Sequence, residues 1–273
     1  MQTVRFAVAT TPELGGAAFD ELASILAGAD VTIEPVFVPN YVSLYETLHL
    51  HAADAAWCPP LVARDLVRVA AADPIATVLR GGADHYYSAL VARDDSRVKK
   101  LAHIEGARVG WVSRLSAAGY VVPRDYLRSL AIDVDAIEDA FMHTHARAVR
   151  ALAEGEVDVI ATYASAQDGS FRVSPALEEA RILGVAGQIP GDVIVVRRTV
   201  SHEVARQLGR ALRAGPLRTN GPLARLMNAS GFGFVPPDHL DGLSRWMERS
   251  IHASFRFVAR TDQTAFPRAP KED

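Results

Sequence analysis

A single cysteine, Cys58, stands in 273 residues, which excludes an internal disulfide and a zinc site built on several thiolates. At the end of a strand-like run, it reads as a small buried hydrophobe. No run approaches the roughly 18 apolar residues that a membrane helix needs, so a membrane-embedded protein is not expected. Charge of neither sign dominates. The 29 Lys and Arg are interspersed with 32 Asp and Glu for a net −3, and without a basic stripe no nucleic-acid partner is expected. Familiar catalytic signatures are missing too: there is no G-x-S-x-G elbow, no G-x-x-x-x-G-K loop and no G-x-G-x-x-G after the first strand. The "HTH" around His143 and His145 has no carboxylate or cysteine at ligand spacing. Neither metal nor cofactor is expected.

What is present is a soluble composition, 49% hydrophobic and 22% charged. Apolar alternation and helical periodicity succeed one another along almost the whole chain, the pattern of βαβ units around largely parallel sheets. "TVRFAVAT", "VTIEPVFVP", "DAAWCPP", "ATVLRG", "YYSALVARDD", "ARVGWVS", "AIEDAFMH", "VDVIATY", "RILGVAG" and "DVIVVRR" read as strands. About ten strands exceed one comfortable sheet. Two α/β lobes are therefore expected, with "YYSALVARDD" and "DVIVVRR" crossing between them: residues 1–90 and 192–259 in lobe 1, and 91–191 inserted as lobe 2. Gln167–Pro175 reads as a polar, poorly periodic stretch. Helices are expected over roughly His202–Arg213, Pro216–Ser230 and Asp241–Phe255, and the tail 260–273 as disordered. The opening "MQTVRFAVAT" enters a strand without an apolar signal region. As it stands, the sequence reads as cytoplasmic, or as periplasmic if an export signal has been removed.

Four segments carry a resemblance. "HYYSALVARDDSRVKKLAHIEGARVGWV", "SAAGYVVPRDYL", "THARAVRALAEGEVDVIAT" and "QIPGDVIVVRR" are similar, in order and spacing, to the phosphonate/phosphate-type substrate-binding proteins of ABC transporters. The resemblance extends from about residue 4 to 257. It implies a type II periplasmic-binding fold, two mixed sheets joined by a two-strand hinge and closing on a small-molecule ligand. It also implies no catalysis and an ABC permease as partner. A cytoplasmic enzyme or a ligand sensor on the same fold is the alternative.

The resemblance also points to residues. Its oxyanion-binding turn falls on "SAAGY", where strand gives way to helix. Ser116 remains, but Ala117 and Ala118 stand where the family typically has hydroxyls, so the anion would be held mainly by helix N-terminal N–H groups. Arg114, in the same turn, is either a bidentate partner for a carboxylate or a solvated surface residue. His145 matches an anion-contacting histidine, with Thr144 as cap of its helix, and the other reading is structural. Tyr41, after a predicted Asn40 cap, and Tyr86 match ligand-flanking tyrosines, with core packing the competing reading. Tyr163 follows "VDVIAT" where aminophosphonate binders carry an acid. Asp192 matches the family in "IPGD", and Trp57 ends a strand where loops converge on a crevice. The expected ligand is a small anionic or polar metabolite, phosphonate-like or a carboxylate.

Overall fold

The computed structural model describes residues 2–27, 31–244 and 246. Its strands are β1 (Gln2–Ala9), β2 (Val31–Val38), β3 (Ala55–Cys58), β4 (Ala72–Leu79), β5 (His85–Arg93) and β6 (Arg108–Trp111). They continue as β7 (Glu138–Phe141), β8 (Val159–Gln167), β9 (Ser170–Arg172), β10 (Ala180–Pro190), β11 (Val193–Arg197) and β12 (Gly231–Gly233). The helices are α1 (Pro12–Leu26), α2 (Tyr41–His49), α3 (Pro60–Arg68), α4 (Val122–Ser129), α5 (His145–Ala153), α6 (His202–Ala214) and α7 (Pro222–Met227).

The strands form two mixed six-stranded sheets. One has the order β12-β4-β11-β3-β1-β2; the other runs β10-β5-β8-β6-β7, with β9 hairpinned onto β8. Period-two alternation sorts their side chains. Val4, Phe6 and Val8 of β1 and Ile194 and Val196 of β11 pack against α1, α6 and α7, while Ala7, Val193 and Val195 face α2 and α3. In the second sheet Leu90 and Ala92 pack toward α4, and Ala89 and Val91 toward α5. Each large apolar side chain buried this way contributes about 1.5–3 kcal/mol.

The two-lobed α/β arrangement matches expectation, but the first crossing lies elsewhere. All of β5 pairs within the second sheet, with β10 and β8, so a boundary at residues 90/91 would cut a strand. The chain changes sheets between Leu79 and His85 and again between Pro190 and Val193. In the first passage Arg80 and Ala83 exchange backbone hydrogen bonds of 2.9 and 3.1 Å. The two residues between them, Gly81 and Gly82, have φ of 57° and 81°, as a primed turn demands. The second passage lies alongside: Gly191 N donates to Asp84 O (2.6 Å) and Val78 N to Asp192 O (2.8 Å).

Two further segments differ from expectation. Gln167–Pro175 contains a two-residue hairpin, because Asp168 and Gly169 both take positive φ (49° and 76°) and so allow β9 to fold back on β8. The helix expected over Pro216–Ser230 begins only at Pro222, after Asn220 at φ 59°. Of the helix expected over Asp241–Phe255, Asp241–Leu243 form a 3-10 turn; most of the remainder and the 260–273 tail lie outside the described residues.

Gly191 tests the paired crossing. A Cβ there would lie 2.8 Å from Asp84 O and 3.0 Å from Val78 O, both backbone atoms with nowhere to go. Gly191→Ala is expected to destabilise the protein by about 1–3 kcal/mol, read as a lowered urea midpoint at unchanged m-value.

Candidate functional site

Capping explains why two of the candidate side chains stand where they do. The Asn40 side chain accepts from Ser43 N at 2.9 Å, which starts α2 directly after β2 and makes Tyr41 its first residue. Thr144 does the same for α5 by accepting from Arg147 N at 3.1 Å, which sets His145 at that helix's start. Both helices follow parallel strands at their carboxyl ends, where a crevice forms.

The "SAAGY" turn is a π-turn, Ala117–Val121, running into α4. Ser116 Oγ accepts from Gly119 N at 3.0 Å, and Ser88 Oγ donates to Ala118 O at 2.7 Å. A Cβ on Gly119 would sit 2.5 Å from Val112 Cβ, so only glycine permits the turn to close on the strand. The N–H groups of Ala117 and Ala118 open the helix and precede any intrahelical acceptor. Near them the buried Ser113 hydroxyl has no hydrogen-bond partner among the described residues.

Tyr41, Tyr86 and Tyr163 pack with Ala117, Ala118 and Val121 in one apolar cluster drawn from both lobes. Burial, reinforced by the negative charge of Asp192, raises the phenols of Tyr41 and Tyr86 above the usual tyrosine range. Both stay protonated at neutral pH, and among the described residues neither hydroxyl is hydrogen-bonded. His145 sits edge-on to Tyr163 at 5.1 Å between ring centroids, and its Nδ1 lies 3.1 Å from Thr162 Oγ1. Burial and the positive charge of Arg80 push the imidazole down to about 4, so it is neutral at pH 7.

Sequence reasoning missed Arg80. Its Nη2 donates to Asp192 Oδ2 at 2.6 Å and to Met227 O at 3.1 Å, and its guanidinium lies 5.4 Å from the Tyr86 ring centre. Burial opposes the charge, but Asp192 and Tyr86 hold the group above the ordinary arginine value. Trp57 Nε1 donates to the same Asp192 oxygen at 3.2 Å. Oδ2 of Asp192 is thus committed to protein donors. The only available signal for Arg80 was its place just before Gly-Gly at the crossing.

Arg114 lies apart from this group. It is exposed over the rings of Tyr120 and Phe141 (5.6 and 4.9 Å) and donates to Tyr120 Oη at 3.0 Å. Cys58 is fully buried, and desolvation keeps its thiol well above the usual value. It therefore offers no thiolate. Among the described residues no group of His, Cys, Asp and Glu is arranged to hold a metal ion.

The family described as the periplasmic substrate-binding protein of the phosphonate ABC transporter matches residues 9–241. The chain belongs to that family. No curated protein matches it. Among solved structures, a binding-protein component of an ABC phosphonate transporter from Pseudomonas aeruginosa superposes with a TM-score of 0.75 at 20% identity, covering 96% of this chain and 94% of its own. PhnD1 from Prochlorococcus marinus, in complex with methylphosphonate, gives 0.74 at 13% identity, covering 91% of this chain and 98% of its own. XAC2383 from Xanthomonas citri, bound to ATP, gives 0.71 at 18%, covering 93% and 99%. At these identities the likenesses establish the two-lobed fold, and the family match makes this phosphonate-binding family member a substrate-binding protein.

The imidazole predicts a pH dependence. The folded protein holds His145 neutral down to about 4, whereas the unfolded chain protonates it near 6.5. The unfolded state therefore binds more protons between those values, and this contribution to stability is complete above about 6.5 and lost as pH falls toward about 4. Melting temperature measured against pH should fall in that window less steeply in His145→Gln than in wild type; parallel curves would contradict the assignment.

Proposed function

We propose that the cleft closes on a small phosphonate-type oxyanion and hands it on chemically unchanged, as the solute receptor of an ABC uptake system with a permease as partner and the periplasm as its place of work. The observation that carries this reading is the convergence of several donors that have no protein partner among the described residues. Tyr41 brings a protonated hydroxyl from the first lobe; the second brings that of Tyr86, on β5, together with the opening N–H groups of the Ser116–Gly119 turn, the Ser113 hydroxyl and His145. The methylphosphonate bound to PhnD1 supports the ligand class.

In this reading Tyr41 donates from the first lobe, and Tyr86 with the Ala117 and Ala118 N–H groups from the second. The turn's partial positive charge adds about 0.3–1 kcal/mol, rising to about 2 when partly buried. His145 presents Nε2, its Nδ1 being turned toward Thr162. Tyr163 and Arg80 close the remaining side. Only the closed arrangement brings both sets to one ligand, so binding shifts the population toward closure. Arg114 and Trp57 stand outside this contact set.

The ion pair sharpens the ligand class. Asp192 is the acid best placed to greet an ammonium, but Arg80 neutralises its charge and shares its Oδ2 with Trp57. A cationic substituent would meet the Arg80 charge instead. Calorimetry is expected to show ethylphosphonate binding at least about tenfold more tightly than 2-aminoethylphosphonate, a difference of about 1.4 kcal/mol. The ligand should be recovered intact after incubation. His145→Ala is expected to weaken ethylphosphonate binding about tenfold or more while the protein stays folded. Preference for the aminated ligand, turnover of either, or indifference to His145 would each count against the reading.

A further inference from the structure

Beside the cleft lies a cavity of about 470 Å³ that the oxyanion contacts leave unexplained. It sits where the lobes meet: Arg80 and Ser230 line it from the first, Tyr163, Gln167 and Arg172 from the second. Tyr86 and Tyr163 line it and also belong to the apolar cluster of the cleft, and Arg80 lies 5.4 Å from the Tyr86 ring centre, so the cavity adjoins that cleft. Its size is within the range of whole small-molecule sites, about 300–1,000 Å³. A methyl group would leave nearly all of it unfilled.

The lining has a definite chemistry. It contains no Asp or Glu and two arginines. Arg80 uses Nη2 for Asp192 and Met227 O, and among the described residues nothing accepts from its Nε or Nη1. Arg172 is carried on the β9 hairpin, where its backbone pairs with Ser165, and its exposed guanidinium has no ion-pair or hydrogen-bond partner among the described residues. An unpaired guanidinium of this kind suits a planar carboxylate, which it can grip with two parallel hydrogen bonds.

We propose that this cavity is a second anion subsite, so that the ligand is two-headed, a phosphonate whose substituent ends in a carboxylate gripped by Arg172 with Arg80 at its inner wall. The inference rests on the phosphonate reading above and extends it from head group to tail. Arg172 rides on a hairpin of the second lobe and Arg80 on the crossing turn of the first. A two-headed ligand therefore ties the lobes at two points, where a methylphosphonate would tie them at one.

The test compares 3-phosphonopropionate with propylphosphonate, matched in chain length and differing in the carboxylate, by calorimetry on the full chain. Wild type is expected to prefer the carboxylated ligand by at least about tenfold. Arg172→Ala should bring the ratio close to one while leaving propylphosphonate affinity unchanged, and Arg172→Lys should restore part of the preference. Because Arg172 is exposed and unpaired, these variants are expected to fold normally, checked by unchanged melting temperature. Equal affinities in wild type, or a ratio that survives Arg172→Ala, would overturn the subsite and leave the phosphonate reading standing. Failure of every phosphonate to bind would overturn that reading and the subsite with it.

Discussion

The ion pair between Arg80 and Asp192 sets the terms for the rest of the molecule. Each residue belongs to one of the two passages by which the chain moves between sheets, so the pair ties the hinge strands side by side beneath the cleft. Its side chains are only 15% and 11% exposed. A buried pair of this kind adds little net stability, because desolvation offsets attraction, but losing one partner strands a charge and costs about 3–5 kcal/mol. The pair therefore acts on character more than on stability. It neutralises the charge of Asp192 and ties up its Oδ2.

Around that pair the two lobes share apolar surface. Tyr86 and Ile189 come from the second sheet close to the hinge, Tyr41 and Val42 from α2, and Ala117 and Ala118 from the π-turn across the cleft. The alanines contribute here as packing surface. Where hydroxyls would add donors, methyl groups let the turn approach the tyrosines, and the donors the turn itself offers are those of the backbone. The same substitution that weakens resemblance to a hydroxyl-rich site gives this cleft its drier wall.

Local rules made much of this visible in the sequence. Asn40 and Thr144 are good N-caps just before periodic runs, which placed Tyr41 and His145 correctly, and two-residue alternation identified the central strands. What stayed hidden depended on distance. Arg80 and Asp192 are separated by 112 positions, and nothing in either neighbourhood announces the other. The displaced boundary has a similar cause: β5 is apolar on both faces because both are covered, so its pattern does not say which sheet holds it. The Asp168-Gly169 hairpin was legible in principle, since that dipeptide favours a primed turn, but the surrounding residues alternate too weakly to mark strands. It happens to carry Arg172.

The backbone-built turn has one further consequence. Peptide N–H groups do not titrate in the range where proteins work, and their direction is fixed by the fold of Ser116–Gly119 rather than by rotamers. A cleft that holds an anion this way has an invariant half and an adjustable half. In the proposed contact set Tyr41 and Tyr86 keep their protons and His145 is neutral at pH 7, and sequence drift at positions 117 and 118 alters shape without altering the donors. In the proposed site, recognition of the head group would be insulated from the residue types nearest to it, and selection among ligands left to the side chains farther out.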